Sequence, residues 1–279
     1  MKQCDSILHR GGSIIQHGHF NNRVYVMKLA PAEIHDIIRY ADDLALKEGY
    51  SKIFVKVPES SAGVFATRGY ISEATVPFYY HGREPAVFMG KYLDPRRREV
   101  RDATILETVL SDAFSHTGEK NAHTIPDGFL LVHAHPDDAE DIAALFHTVF
   151  ETYPFPITDP NYIRGTMQGS TRYFVVKRSN LIAAVASCEI DAENSNAEVT
   201  DFATGPLFRG RGFASLLLHA MESELKKEGI QLVYTICRAV FRPINTVFSG
   251  AGYRFGGMLP NNTNICGATE SMNVWYKTL

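Results

Sequence analysis

A helix, a strand, a Phe-x-x-x-Gly-Tyr segment and a further strand follow one another twice in this chain, and a repeated order of that kind admits few architectures. In the first copy Ile34, Ile37, Ile38, Ala41 and Leu44 share one face of a helix predicted over Ala32 to Lys47, with Gly49 behind it. Ile53 to Val57 reads as a strand, Phe65 to Tyr70 supplies the Phe-x-x-x-Gly-Tyr segment, and Val87 to Lys91 is the last strand. The second copy has Phe213, Leu217, Met221 and Leu225 at every fourth position of a helix ending near Gly229. A strand over Gln231 to Cys237, a short helix over Asn245 to Gly250 that opens the segment Phe248 to Tyr253, and a final strand over Met272 to Tyr276 follow it. Before the second copy stand a strand at Phe129 to His133 and a helix from Asp137 to Phe150, broken by Tyr153-Pro154-Phe155-Pro156. A short helix (Asn161 to Met167), a hairpin (Tyr173 to Val176 with Leu181 to Ile190) and a strand (Ala197 to Thr204) come next. The expected organisation is α/β, with a half-domain over 1–120, a full domain over 127–279 and a boundary in the polar stretch Ser115 to Asp127.

Only the second copy has Arg209-Gly210-Arg211-Gly212-Phe213-Ala214 before its helix; the first has Leu29-Ala30-Pro31. Glycines let backbone N–H groups stand open, and the first turn of a helix adds free N–H groups and the positive end of its dipole. Two guanidiniums beside them suit phosphate oxygens. The turn therefore reads as an anion site, best matched to a pyrophosphate. It is neither GxxxxGK[ST] nor GxGxxG.

Composition narrows the field. Hydrophobic residues are 45% of the chain and charged ones 21%, with a net charge of −3, which suits a globular core and lacks a nucleic-acid footprint. Arg96-Arg97-Arg98 is broken by Glu99 and Asp102 and reads as a solvated helix start. The four cysteines are scattered, which fits reduced thiols in a cytoplasm and no zinc site. His17-Gly18-His19 and His133-Ala134-His135 lack a third ligand at a defined spacing, so no metal is expected. No apolar run approaches a membrane span, and no apolar leader opens the chain.

Arg209, Gly212 and Ala214 fit (Arg or Gln)-x-x-Gly-x-(Gly or Ala), and this resembles the acyl-CoA pyrophosphate loop of the GNAT N-acetyltransferases. The resemblance implies a mixed, mostly antiparallel central sheet with flanking helices, preceded here by a GNAT-like half-domain. It implies acetyl-CoA as co-substrate, held by Arg209, Gly210, Arg211, Gly212, Phe213 and Ala214, with pantetheine along Phe202, Ala203 and Thr204. Asn245 is the counterpart of a helix asparagine that often positions CoA. Glu198 and Asp201 are the candidate bases, with Asp201 placed ahead. They are three residues apart and face opposite ways on a regular strand, so a bulge is needed to bring both to the cofactor. Many GNAT enzymes have a tyrosine acid four residues before the Gly-Tyr pair; here Phe248 stands there, which leaves Tyr234, Tyr253 or a water. The first half, lacking the loop, is expected to be structural or dimerising, with a homodimer as the candidate assembly.

Five blocks narrow the resemblance: Tyr153 to Ile157, Ala197 to Thr204, Tyr234 to Ala239, Asn261 to Ile265 and Glu270 to Lys277. With them the chain resembles the β-lysine N-acetyltransferases, whose product Nε-acetyl-β-lysine is a compatible solute. The substrate expected on that basis is a small amine. Glu198, Asp201 and Glu270 are candidates for its ammonium groups, and Arg238, Asn261, Asn262 and Asn264 for its carboxylate. For Asn261 and Asn262 a turn role is weighed equally. The rival readings are an acetyltransferase for another amine, such as a polyamine, and a non-catalytic acyl-CoA sensor.

Overall fold

The computed structural model describes residues 4–100, 102–118 and 124–279. The first half contains β1 (Ser6–Arg10), β2 (Ser13–Gly18), β3 (Arg23–Lys28), α1 (Ile34–Glu48), β4 (Lys52–Pro58), α2 (Glu59–Ala66), β5 (Ile71–Tyr80) and β6 (Glu84–Tyr92). A helix α3 (Ala103–Ser115) leads out of it. The second half contains β7 (Leu130–His133), α4 (Ala139–Val149), α5 (Pro160–Met167), β8 (Thr171–Arg178), β9 (Leu181–Asp191) and β10 (Asn196–Thr204). It continues with α6 (Phe213–Lys227), β11 (Leu232–Arg238), α7 (Arg242–Gly250), β12 (Arg254–Ile265) and β13 (Ala268–Thr278).

Among the described residues the strands form one 13-stranded sheet, in the order β1-β2-β3-β4-β6-β5-β12-β13-β11-β10-β9-β8-β7. The repeat read from sequence is visible in that order. β3 runs parallel to β4 and β4 antiparallel to β6, just as β10 runs parallel to β11 and β11 antiparallel to β13. The copies meet through equivalent strands, β5 and β12, at the antiparallel pair Ala74 and Gly257. Gly257 has φ +140°, and a Cβ there would lie 2.4 Å from the Glu73 carbonyl oxygen and 2.6 Å from Ala74 Cα. Only glycine lets the two backbones approach so closely.

Alternation along the strands decides what each face covers. Val24 and Val26 of β3, with Ile53, Val55 and Val57 of β4, pack under α1 and α2. Tyr25 and Phe54 point the other way and join Leu232, Tyr234, Met272 and Val274 of the second half. The helix-free face of the first half is thereby laid against strands of the second. The other face of those strands carries Phe213, Leu217, Met221 and Leu225 from α6, with Phe248 and Trp275.

Several elements differ from the sequence reading. Strands β1, β2, β3, β5 and β12 and helices α2 and α3 were not anticipated. Asn261 to Asn264 lie within β12 rather than in a turn, although Asn261 has φ +42° at a register shift between Leu259 and Thr263. Arg96 to Arg98 do lie on a short helix, Pro95–Arg98, with Arg96 and Arg98 exposed, but Arg97 is half-buried. It donates to Asn261 O (2.7 Å), Ser51 Oγ (3.1 Å) and Asn21 O (2.8 Å), tying the halves together. Part of the expected boundary, residues 119–123, lies outside the described residues.

Candidate active site

The site begins where two parallel strands part. β10 and β11 pair at Asn196 with Leu232, Ala197 with Val233 and Glu198 with Tyr234, and at no later residue. From Val199 to Thr204 one edge of β10 faces a gap, and from Thr235 to Arg238 so does one edge of β11. On its other side β10 stays paired to β9, with one extra residue between Thr200 and Ala203. That bulge contains Asp201 at φ +55°, a left-handed conformation that costs a non-glycine residue ~1–3 kcal/mol. Its side chain is tied down from both sides: Tyr153 donates to Oδ1 (2.5 Å) and Ser187 to Oδ2 (2.6 Å). The bulge turns Asp201 to the face that carries Glu198 and Thr200, and all three line one cavity.

At the far end of the gap α6 begins. Gly212 caps it with φ +73° and no side-chain cap, and Gly210 before it has φ +76°. The first backbone bond of the helix runs from Leu216 N–H to the Gly212 carbonyl (3.1 Å), so Phe213, Ala214 and Ser215 present N–H groups without an intrahelical acceptor. A Cβ built on Gly210 or Gly212 would meet nothing within 4 Å, so the turn is open on its outer side. Arg209 and Arg211 are exposed beside it, the latter over the Phe129 ring at 5.8 Å. Shape, N–H groups and charge fit a pyrophosphate.

The cavity has a volume of about 680 Å³ and runs from Arg209–Ser215, along the gap, to a wall built from the first half: Arg23, Tyr25, Met27 and Phe54. Three carboxylates face it. Glu198 and Glu189 are direct cross-strand partners, and Asp201 is close by. Burial raises the pKa of all three. For Glu189 the negative charges of Glu198 and Asp201 add to that rise. For Glu198 the ammonium of Lys56 and a hydrogen bond from Tyr234 oppose it. Lys56 comes from β4 of the first half, donates to Tyr234 Oη (3.2 Å) and sits over the rings of Tyr79 (4.9 Å) and Tyr234 (5.3 Å). Tyrosine and carboxylate neighbours outweigh burial in raising its pKa, so it stays a cation.

The expected residues divide into two groups. Glu198, Asp201, Phe202, Thr204, the loop Arg209 to Ala214, Arg238 and Asn262 line the cavity. Ala203, Tyr234, Asn245, Asn261, Asn264 and Glu270 do not. The Asn245 amide is used inside the protein: it donates to Arg238 O (2.9 Å) and Phe241 O (3.0 Å) and accepts from Asn273 and Trp275, pinning α7 to the sheet. Asn261 donates to Arg97 O and Glu99 O, and Asn264 to Phe20 O, so both join the halves. Glu270 forms a two-pronged pair with Arg238 (2.6 and 2.8 Å). Tyr234 is buried behind Glu198. Phe248 lines the cavity and packs on Phe202 and Tyr253, with Tyr253 behind it.

Sequence reasoning missed Arg23, Tyr25, Lys56, Tyr153, Ser187 and Glu189. A signal existed for Arg23: it occupies the same face as Tyr25 in the alternating run Arg23-Val24-Tyr25-Val26. For Glu189 none existed, because only register places it opposite Glu198.

Residues 139–246 match the family described as "Acetyltransferase (GNAT) family". The chain is 38% identical over 274 residues to the "Beta-lysine N(6)-acetyltransferase" of Methanococcus maripaludis, covering 98% of each chain. It is 33% identical over 256 residues to the "Beta-lysine N(6)-acetyltransferase" of Methanosarcina mazei, covering 85% of this chain and 94% of that one. It is 32% identical to "N-acetyltransferase YodP" of Bacillus subtilis, covering 96% of each. An open parallel-strand gap, a glycine-arginine helix start and full-length relatedness agree: this chain belongs to the β-lysine N6-acetyltransferase family of GNAT acyltransferases.

Proposed function

We propose that the protein moves the acetyl group of acetyl-CoA to the ε-amine of β-lysine. The observation that carries this reading is that one cavity joins an anion-receptive helix start, an unpaired strand edge and three carboxylates. The names of the Methanococcus maripaludis and Methanosarcina mazei relatives point to the same acceptor. Arg209 to Ala214 would hold the pyrophosphate, and the free edge at Phe202 to Thr204 would pair with pantetheine.

An ε-ammonium ionises near pH 10.4, so about one amine in a thousand is free at neutral pH without help. Glu198 is the base in this reading, ahead of Asp201, which the sequence reading placed first. Asp201 already accepts from Tyr153 and Ser187, which suits holding an ammonium in place. Glu198 takes the proton. The amine nitrogen then attacks the thioester carbonyl, a C–N bond forms, the C–S bond breaks, the sulfur leaves as thiolate, and the proton still on the new amide nitrogen passes through water to that thiolate. A thiol ionises near pH 8.5, so the sulfur can depart without an acid in contact, which accommodates Phe248.

The first half holds no second CoA in this reading. β3 and β4 remain paired as far as Val26 and Val55, and Ala30-Pro31 stand where the glycine loop would be. No helix among the described residues is long and apolar enough to cross a membrane. Four free thiols suit a cytoplasmic setting. Acetylation takes one positive charge from β-lysine and leaves a net-neutral zwitterion, consistent with a compatible solute. The test is thiol release from acetyl-CoA across an amine panel. β-Lysine should be the best acceptor, a polyamine preference would move the assignment, and no release with any amine would leave an acyl-CoA sensor.

A further inference from the structure

We propose that the first half-domain reads the head group of the acceptor, with Arg23 binding its carboxylate and Asn262 Oδ1 accepting from the amine beside that carboxylate. This deepens the acetyl transfer proposed above and rests on an amino-acid acceptor. Arg23 is 3% exposed and lines the cavity. Its Nη1 donates to Asn262 O (2.5 Å) and Thr263 Oγ1 (3.2 Å), and its Nη2 to Gln16 Oε1 (3.4 Å). Its Nε–H has no acceptor, and among the described residues it has no ion pair at salt-bridge distance. Asn262 is 2% exposed, lines the same cavity, and its Oδ1 has no donor.

Buried polar groups are nearly always paired, and a buried cation without a counter-ion is rarer still. Here an unmatched donor with a positive charge and an unmatched acceptor are neighbours on one wall, yet they do not satisfy each other. A carboxylate with an ammonium nearby supplies what each lacks. Glu189, Glu198 and Asp201 line the same cavity between this wall and the Arg209–Ser215 turn. Along the acceptor's path a cation thus stands on the first half's wall and carboxylates stand where β10 and β11 part. A zwitterion with a distant second ammonium lies along it in one direction only, which delivers the far amine to the thioester and keeps the near one away. If Arg23 were only a tie between β3 and β12, its two Nη groups would suffice.

The experiment compares three acceptors: β-lysine, 1,4-diaminopentane (β-lysine without its carboxylate) and 6-aminohexanoate (without its β-amine). Arg23→Gln should raise KM for β-lysine and 6-aminohexanoate ~10–100-fold, the scale of a lost charged hydrogen bond, with kcat little changed. KM for 1,4-diaminopentane should not move. Asn262→Leu should raise KM for β-lysine and 1,4-diaminopentane but not for 6-aminohexanoate. CoA affinity, unchanged in both variants, certifies the fold. If Arg23→Gln does not fold, Arg23→Lys keeps the charge and should show a smaller rise confined to the two carboxylates. Calorimetry with 3-aminobutanoate gives a readout free of turnover: binding to the wild type, lost in Arg23→Gln. An equal KM rise for all three acceptors, or none, would overturn the head-group site. A wild type that acetylates none of the amines yet binds 3-aminobutanoate through Arg23 would remove the proposed reaction and leave the site standing.

Discussion

Glu198 and Tyr234 face each other at the last paired position between β10 and β11, and the Tyr234 hydroxyl in turn receives the Lys56 ammonium at 3.2 Å. The point where the sheet opens is thus also the point where the first half reaches the carboxylates of the second. One cross-strand pair marks the start of the gap and links the proposed base to Lys56. The consequences can be measured.

Gly212→Asp puts a carboxylate at the cap of α6, beside the free N–H groups of Phe213, Ala214 and Ser215. Space exists for the side chain, but φ +73° is unfavourable for it, and its charge opposes a pyrophosphate. CoA affinity should fall ~100-fold or more by calorimetry, with an unchanged circular dichroism spectrum. A folded variant that binds CoA as before would remove the loop from the cofactor site.

The two carboxylates should separate by role. Glu198→Gln keeps shape and removes basicity, so kcat should fall ~10²-fold or more. Asp201→Asn should act mainly on KM, and Tyr153→Phe should resemble it, because both loosen the same side chain. A larger kcat loss in Asp201→Asn than in Glu198→Gln would restore Asp201 as the base.

The raised carboxylates predict a pH dependence. A base must be deprotonated, so the rate should rise with pH through a limb above the ordinary carboxylate range of about 4. Lys56→Met removes a charge that opposes the rise and should move that limb upward. Stability should run the other way. A carboxyl whose folded pKa exceeds its unfolded one favours the folded state below the unfolded pKa, and that advantage is lost as pH climbs through the folded pKa. Urea midpoints without substrate should therefore decline from pH 5 towards 8, less steeply in Glu198→Gln.

Gly257→Val tests the junction of the halves. Its Cβ would overlap the Glu73 carbonyl and Ala74 Cα, so β5 and β12 must part. A loss of ~2 kcal/mol or more is expected in urea unfolding, with a larger rise in KM for β-lysine than for acetyl-CoA, since Arg23 sits on the half that shifts. Equal rises for both substrates would mean that the first half does not form the acceptor wall.

Local signals made much of this molecule readable. Leu217, Met221 and Leu225 spaced along α6, the glycines at 210 and 212, and the two Phe-x-x-x-Gly-Tyr segments are short-range patterns, and they located α6, its loop and the repeat. The bulge at Asp201 was suggested by the family resemblance, since the spacing of Glu198 and Asp201 on a regular strand equally allows one carboxylate to face away. What resisted was long-range. Arg23 meets Asn262 only because β5 and β12 join the copies, and no spacing in the chain encodes that contact. Asn245, Asn261 and Asn264 were legible as polar residues in a site-like block, but whether an amide serves the protein or a ligand depends on partners far away in sequence, such as Trp275, Arg97 and Phe20.

The most direct measurement is the structure of the product. Purified protein, acetyl-CoA and β-lysine should yield one acetylated compound, and fragmentation by mass spectrometry should place the acetyl group on the ε-nitrogen, with one thiol released per product formed. Acetylation on the β-amine would contradict the direction in which the acceptor lies between Arg23 and Glu198, and thiol release without an acetylated amine would contradict acetyl transfer to the acceptor altogether.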